Sequence, residues 1–346
     1  MSSGGKQILV TGAGGYVGTV LIPKLLERGY RVKGVDRYFF GRRLPEHSNL
    51  KLIQEDTRRL KLEHFAEVDG VIDLVAISND PAGERFREVT WQVNYLSRVQ
   101  TAQLAKLAGV ERYILPSSCS IYGFQPEIVD EESPINPLTT YAKANRRAEK
   151  GVLELGDSNF VVTVIRQATL FGYSPRMRFD LAINGMTYGA WKFGKLPLMR
   201  DGTQYRPMLH VQDTTDLMIR LLEAPAEIIN REIFNVGGNR LNYQIGELGK
   251  IVAKVVEETT GRKVEIEWYG DPDKRSYLVS FGKIKERLGW EPKWGAEEGV
   301  REIVEKLEEG VLDRTPDTIT LEWYQLLTKW HRIVKEVEMY QGILEI

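Results

Sequence analysis

Thr11-Gly12-Ala13-Gly14-Gly15-Tyr16-Val17-Gly18 follows the apolar run Ile8–Thr11 and opens the amphipathic stretch Val17–Arg28. A strand running through a glycine turn into a helix is the arrangement that receives a dinucleotide. Gly12, Gly15 and Gly18 have the spacing GxxGxxG. The first permits a tight turn, the second lets backbone approach a pyrophosphate, and the third lets the helix pack close to the strand. The helix start adds free N–H groups and the positive end of its dipole. A second strand, Arg31–Asp36, ends in a carboxylate eighteen residues beyond Gly18. A carboxylate there bonds both ribose hydroxyls and repels a 2′-phosphate, which favours NAD over NADP. Arg37, next to it, pulls the other way, because a guanidinium accepts phosphate. The cofactor-facing set from this end is Gly12, Gly15, Tyr16, Val17, Gly18 and Asp36.

Working outward, short apolar runs alternate with amphipathic ones. Strands are read at Leu50–Glu55, Gly70–Ala76, Arg112–Pro116 and Val161–Arg166. Helical stretches are read at Leu60–Ala66, Thr90–Ala108 and Tyr141–Leu155. Repeated strand–helix–strand units imply an α/β fold with a Rossmann-type doubly wound parallel sheet. Residues 173–203 are rich in Gly, Pro and aromatics and read as an insertion carrying a binding surface. Leu209–Val211 and Ile233–Val236 are read as returning to the sheet. A helix at Leu241–Gly261, a strand at Lys263–Trp268 and a helix at Ala296–Gly310 come next. The expected division is a cofactor domain over 1–172, rejoined by 205–240, and a smaller α+β substrate domain from 173–204 and 241–310. The tail 311–346 has helical periodicity, and its Trp323, Tyr324 and Trp330 read as packing residues.

Composition narrows the function classes. Among 346 residues, 47 Lys and Arg face 48 Asp and Glu, so any anion site is local rather than a general polyanion surface. The single cysteine, Cys119, excludes an intrachain disulfide, and no His/Cys cluster has zinc spacing, so no metal is expected. The start MSSGGKQILV lacks the apolar stretch of a secretion signal, and no run is long enough to cross a bilayer. These readings point to the cytoplasm.

With these features the chain resembles the extended short-chain dehydrogenase/reductase family, in its group of sugar-nucleotide epimerases and dehydratases, over roughly residues 6–310. Asp56-Thr57-Arg58 looks like the family's adenine-contacting segment, with Asp56 and Thr57 at the cofactor. Leu74-Val75-Ala76 matches the strand end that lines the nicotinamide ribose, and Asn94 an asparagine of the next helix. Ser117-Ser118-Cys119-Ser120-Ile121-Tyr122-Gly123 looks like the family's SSxxxYG signature. The resemblance makes Ser118 the catalytic hydroxyl and Tyr141 the catalytic tyrosine. The chemistry suits them: oxidising a carbinol removes an O–H proton as hydride leaves carbon. A phenol can take that proton when its pKa falls from about 10 towards neutrality. The family pattern is YxxxK, yet Asn145 stands at that lysine's place. Lys143 is turned by about 200° to the opposite helix face. Asn145 can still hold the nicotinamide ribose, but it supplies no charge. Three outcomes are open: the nicotinamide alone tunes Tyr141, another cation enters the site, or activity is weak or absent.

The second half points to the substrate. Arg206-Pro207-Met208-Leu209-His210-Val211-Gln212-Asp213 resembles the family's RxxxHVxD segment, in which Arg206 contacts a diphosphate. A guanidinium fork suits that bidentate task. Arg275 resembles the family's second diphosphate arginine. Asn184, with Arg176 and Arg178 before it, lies in the segment that grips nucleotide or sugar, and Ser78, Ser118 and Ser120 complete the expected substrate set. Sugar 4,6-dehydratases carry Thr-Asp-Glu where this chain has Ser118-Cys119-Ser120, and UDP-glucuronate decarboxylases tend to show a glutamate there. Lacking those carboxylates, the site favours epimerisation, or simple oxidation or reduction. The leading expectation is an NAD-dependent epimerase of a nucleotide-diphosphate sugar, at C4, working as a homodimer. Its rivals are a sugar-nucleotide oxidoreductase and a non-catalytic NAD-binding protein.

Overall fold

The computed structural model describes residues 5–199, 201–270 and 276–338. Its strands in chain order are β1 (Gln7–Thr11), β2 (Arg31–Asp36), β3 (Leu50–Gln54), β4 (Gly70–Asp73), β5 (Arg112–Ser118), β6 (Ile128–Val129), β7 (Val161–Gln167), β8 (Thr169–Phe171), β9 (Lys195–Met199), β10 (Tyr205–His210), β11 (Glu232–Val236), β12 (Asn242–Gln244), β13 (Glu265–Tyr269) and β14 (Leu278–Val279). Seven of them form a sheet in the order β11-β7-β5-β4-β1-β2-β3, and every pairing in it is parallel. The winding direction reverses between β1 and β4. A crevice therefore opens at the carboxyl ends of those two strands, where ligands of such sheets bind.

The helices in chain order are α1 (Gly18–Glu27), α2 (Asp80–Arg85), α3 (Arg87–Trp91), α4 (Arg98–Leu107), α5 (Thr140–Leu153), α6 (Ala182–Phe193), α7 (Val211–Glu223), α8 (Ala226–Ile229), α9 (Ile245–Thr260), α10 (Gly282–Leu288), α11 (Ala296–Glu308) and α12 (Thr320–Val337). Strand alternation decides the layers. Ile8 and Val10 of β1 face the core built with Leu21, Ile22 and Leu25 of α1 and Leu217, Met218 and Leu221 of α7. Leu9 between them faces the other core, with Ala102 and Ala105 of α4 and Ala148 and Val152 of α5. Covered on both sides, β1, β4 and β7 are buried along their whole length.

The structure departs from the sequence reading in three places, two of them in the second half. Residues 173–203 contain a helix, α6, and a strand, β9. The Gly and aromatic content hides a helix whose inner side is Ile183, Asn184, Thr187, Tyr188 and Ala190. Only Ile233–Val236 returns to the large sheet. Leu209 instead sits in β10, which pairs with β8 and antiparallel with β12 in a separate three-stranded sheet. Nor is Thr90–Ala108 one regular helix. Between α3 and α4 lies a π-helical turn, Gln92–Ser97, and Asn94, Ser97 and Arg98 are all buried beneath it. Such turns widen the helix and often mark functional positions.

The tail folds back over the first domain. The Trp323 indole N–H donates to the Phe39 carbonyl at 2.6 Å, Arg43 pairs with Asp317, and the Tyr324 ring packs against Phe39, Phe40 and Phe86. Trp330 is exposed. No helix among the described residues is long and apolar enough to cross a membrane.

Beneath the sheet's carboxyl edge, Arg166 of β7 is buried against Glu149 of α5. Its Nε and Nη2 donate to the two carboxylate oxygens at 3.1 and 3.0 Å, and Ser117 of β5 donates to the same carboxylate at 2.6 Å. Removing one partner strands a buried charge, which costs about 3–5 kcal/mol. Glu149→Ala is therefore expected to lower the denaturant midpoint by that equivalent, and Glu149→Gln by less. An unchanged midpoint for Glu149→Ala would show that the pair does not hold α5 to the sheet.

Candidate active site

Gly12 has φ +65°, and a Cβ on it would sit 2.9 Å from the backbone of Leu74 and Val75. Only glycine lets the β1–α1 turn pass so near the end of β4. A Cβ on Gly18 would lie 2.5 Å from the Ala13 carbonyl, so the third glycine seats α1 on its own turn. The N-cap of α1, Val17, contributes no side-chain cap. The amides of Thr19 and Val20 donate to the Gly15 and Val17 carbonyls at 3.1 Å each, which leaves Gly18 N as the first-turn donor for an anion. The Asp36 carboxylate accepts from the amides of Gly14 at 3.0 Å and Tyr38 at 2.7 Å, which fixes it beside the turn. Burial pushes its pKa up, against those amide bonds and the nearby Arg176.

A cavity of about 380 Å³ runs from this turn across the sheet's carboxyl edge. Of the residues singled out in the sequence, Gly12, Gly15, Tyr16, Val17, Gly18, Asp36, Asp56, Thr57, Leu74, Val75, Ala76, Ser78, Ser118, Ser120, Tyr141, Arg178 and Arg206 line it. Asp56 grips Arg58, with Arg58 Nε and Nη2 donating at 2.9 and 2.6 Å, and that bonding holds its carboxyl down at about 2. Arg37 donates to the same carboxylate at 3.2 Å and stacks on Phe39. The arginine that the sequence offered for a 2′-phosphate is thus already engaged.

Three asparagines behave differently. Asn94 is fully buried, accepts from the Ile77 amide at 2.8 Å and donates to the Ile77 carbonyl at 3.1 Å. It brackets the loop after β4 and does not reach the cavity wall. Asn184 is likewise spent inside the protein. It accepts from Gly172 N at 2.9 Å and donates to the Arg178 carbonyl and the Tyr16 phenol at 2.9 and 3.3 Å. Asn145 is 1% exposed, accepts from Arg98 Nη1 at 3.0 Å, and keeps Nδ2 without a protein partner. Arg275 lies outside the described residues.

At the chemical end, Ser118 closes β5 and its hydroxyl caps the following turn, accepting from Ser120 N at 3.1 Å. Gly123 ends that turn at φ +66°, where a Cβ would meet the Asn136 carbonyl at 2.0 Å. Tyr122 is structural: its phenol donates to Asn235 at 2.8 Å and accepts from Arg166 at 2.9 Å. Thr139 caps α5 and donates to Asp80 of α2 at 2.6 Å, while the Thr140 amide donates to Glu84 at 2.6 Å. These bonds fix where Tyr141 begins α5, facing the Ser118 hydroxyl. Burial raises the Tyr141 pKa above 10. Arg98 opposes the rise, Asp80 adds to it, and Ser118 and Arg178 oppose it. Lys143 is exposed on the other helix face. Arg178 is held by Asp180, with Nε and Nη2 both donating at 2.9 Å.

Sequence reasoning passed over Arg98, Asp80 and Tyr277 and read Tyr324 as a packing residue; all four line the cavity. Arg98 carried one signal: it stands four residues after Asn94, one helical turn along the same element. Among the described residues no group of three or more His, Cys, Asp or Glu is placed to hold a metal.

The model described as "NAD dependent epimerase/dehydratase family" matches residues 8–237. UDP-glucuronic acid decarboxylase 4 of Arabidopsis thaliana is 30% identical over 334 residues, covering 91% of this chain and 71% of its own length. UDP-glucuronic acid decarboxylase 1 of the same plant is 29% identical over 324 residues, covering 89% and 71%. Among solved structures, MoeE5 in complex with UDP-glucuronic acid and NAD superposes with a TM-score of 0.77 at 25% identity, over 88% of this chain and 99% of that one. The UDP-glucose 4-epimerase of Thermotoga maritima with UDP-glucose has a TM-score of 0.78 at 23% identity, over 88% and 100%; at that identity it speaks for the fold.

Without ligand, the Tyr141 phenol is expected to ionise above the range of exposed tyrosines, read as the ultraviolet difference between the native protein and Tyr141→Phe. A folded-state pKa above the unfolded value means that this group's share of stability is whole below about pH 10 and lost as pH rises through the folded value. A Tyr141 titrating at or below 10 in the ligand-free protein would contradict this burial.

Proposed function

The chain belongs to the NAD-dependent epimerase/dehydratase family, and from that premise we propose that it epimerises a nucleotide-linked sugar at C4. The family's members are NAD-dependent sugar-nucleotide epimerases, dehydratases and decarboxylases, and NAD is the cofactor of this chain. The residues fit it: the Gly12–Gly18 turn and the uncapped start of α1 suit the pyrophosphate, Asp36 the adenosine ribose, Asp56 and Thr57 the adenine, and Leu74–Ala76 the nicotinamide ribose. The chemistry NAD supplies when bound is reversible acceptance of a hydride. Tyr141 takes the proton of the substrate hydroxyl, and Ser118 orients that oxygen. In the return direction Tyr141 gives the proton back to the new alcohol. Arg206, whose guanidinium lies over the Tyr277 ring, suits the diphosphate.

The epimerase reading, over dehydration, is supported by the two side chains after Ser118. Cys119 is turned into the core, its thiol on the Arg166 carbonyl, while Ser120 lines the cavity with a buried hydroxyl lacking a protein partner. A hydroxyl there binds a sugar but performs no elimination, for which a carboxyl acid–base pair is the usual equipment. Asp80 also lines this end, and its Oδ1 is taken by Thr139.

Decarboxylation is a second reading, favoured by the identity of 29–30% to UDP-glucuronic acid decarboxylases. Its first step is the same, because a 4-keto uronic acid is a β-keto acid and loses carbon dioxide readily. Self-association as a homodimer is also proposed, supported by the exposed Leu96 and Leu107 on the stretch that runs into α4.

Incubation with UDP-glucose, UDP-N-acetylglucosamine and UDP-glucuronic acid, with NMR of the products, separates the readings. The C4 epimer of any of them, without net NADH, is expected. A pentose product would establish decarboxylation instead, stoichiometric NADH would establish an oxidoreductase, and no turnover on any would end the proposal. Asp36→Ala is expected to weaken NAD binding at least tenfold and to narrow the gap to NADP, measured by fluorescence titration. Unaltered NAD affinity would remove Asp36 from the ribose site.

A further inference from the structure

Asn145 in place of the YxxxK lysine leaves a chemical gap, and α4 fills it. The Arg98 guanidinium, 2% exposed, reaches from α4 to the carboxyl edge of the sheet and lines the cavity. Its Nη2 donates to the carbonyls of Asp73 and Pro116, at 2.8 Å each, at the ends of β4 and β5. Its Nη1 donates to Asn145 Oδ1 at 3.0 Å. We propose that Arg98 and Asn145 together replace the missing lysine: Arg98 is the positioning residue that brings positive charge to Tyr141, and Asn145 supplies the hydrogen-bond donor.

A lysine at this place has two capacities, an N–H donor and a charge. Here they sit on two side chains. Guanidinium nitrogens only donate, so the atom of Asn145 that meets Arg98 must be its oxygen. That turns the remaining donor, Nδ2, away from Arg98, and Nδ2 has no protein partner. Asn145 lies one helical turn from Tyr141 on the same face of α5. A lysine at 145 would offer Arg98 no acceptor and would set two cations about 3 Å apart in a buried place. The asparagine is thus the complement of the arginine.

Arg98 is ion-paired with one carboxylate but donates no hydrogen bond to it. Its nearest acid, Asp73 of β4, stands 3.7 Å from Nε, beyond hydrogen-bond distance, and Nε has no partner. Asp73 takes its hydrogen bonds from Thr11 and from the Tyr113 phenol at 2.6 Å, and burial pushes its pKa up, opposed first by Arg98 and then by those bonds. The groups facing Tyr141 are Arg98 from α4, Asp80 from α2, Ser118 from β5 and Arg178 from the segment before α6. Of the two cations, Arg178 is tied to Asp180 through two hydrogen bonds, whereas Arg98 bonds only neutral oxygens.

This inference rests on Tyr141 acting as the base, and its test does not need turnover. Phenol titration is read as the ultraviolet difference between each variant and the same variant carrying Tyr141→Phe, with and without saturating NAD, alongside circular dichroism across the pH range. Arg98→Met is expected to raise the Tyr141 midpoint by about one pH unit or more, a tenfold smaller phenolate fraction at a given pH. Arg98→Lys, which keeps the charge up to the ordinary lysine pKa of about 10.4, is expected to stay closer to the native midpoint than Arg98→Met. The double variant Arg98→Met/Asn145→Lys, with the cation moved to α5, is expected to restore it, and with it the pH at which kcat rises, leaving KM little changed. A folded Arg98→Met protein with the native midpoint overturns the proposal. Should Arg98→Met not fold, the double variant decides: a native midpoint supports the proposal, and one raised by a unit overturns it. Absence of turnover in the native protein would sink the epimerase reading while leaving the Tyr141 titration fully readable.

Discussion

The site depends on how closely two pieces of backbone pass each other. Gly12 runs against the peptide joining Leu74 and Val75 with no room for a Cβ. That approach sets the separation between the glycine turn and the end of β4, and hence the floor of the cleft between them. Asp73 lies directly beneath. It is fully buried, bonded by Thr11 of β1 and Tyr113 of β5, and the Thr11 hydroxyl in turn accepts from Val75 N at 3.2 Å. A single buried carboxyl therefore ties three adjacent strands at the edge where the cavity opens. Buried polar groups of this kind are tolerable only when satisfied, and satisfied they admit few alternative arrangements.

A similar bracket joins the second lobe to the first. The Tyr16 phenol, from the glycine turn, donates to the Gly172 carbonyl at 2.7 Å and meets Asn184, while Ser174 donates to the Tyr16 carbonyl at 2.7 Å. The segment that begins the substrate side is thereby registered on the cofactor turn itself. Farther out, the tail adds an aromatic lip at the Asp36 end of the cavity, where Tyr324 meets Phe39 and Phe40 and the Arg176 guanidinium lies 3.6 Å from the Phe40 ring centre. The aromatics of 323 and 324 do pack, as the periodicity of the tail suggests, but Tyr324 packs on a cavity wall.

What was legible from the sequence was local. The glycine turn, Asp36 at a strand end, Ser118 after β5 and Tyr141 at a helix start are each defined by a few neighbouring residues, and each lines the cavity. What was not legible depends on partners far apart in the chain. Arg98 is one arginine on an amphipathic stretch until Asp73, Pro116 and Asn145 are brought around it, and the π-helical turn before it has no periodicity to betray it. Asn94 and Asn184 carry amides suited either to a ligand or to backbone. Sequence alone assigned them to ligands, and in the fold Ile77, Gly172 and Arg178 claim them. The strand at Leu209 was placed in the large sheet because an apolar run says that a strand exists and not which neighbour it pairs with.

Charge distribution obeys the same logic as the backbone. A chain with net charge −1 nonetheless buries Arg98, Arg176 and Arg178 along one cavity. Burying a guanidinium costs free energy unless its donors are met. Arg178 is met by Asp180 and the hydrogen bonds of Arg98 by neutral oxygens, but among the described residues Arg176 has the Thr320 hydroxyl at 3.2 Å and the Phe40 ring, and its Nε and Nη1 have no hydrogen-bond partner. Burial lowers its pKa to about 10, with Arg178 adding to the fall. On the nucleotide-sugar reading these are costs borne in the ligand-free state and relieved when anionic phosphates enter, so the positive field is local to the cleft and built before the ligand arrives. That preorganisation explains how a nearly neutral chain presents buried guanidinium groups to one cavity, Arg98 from the start of α4 and Arg176 and Arg178 from the segment between β8 and α6.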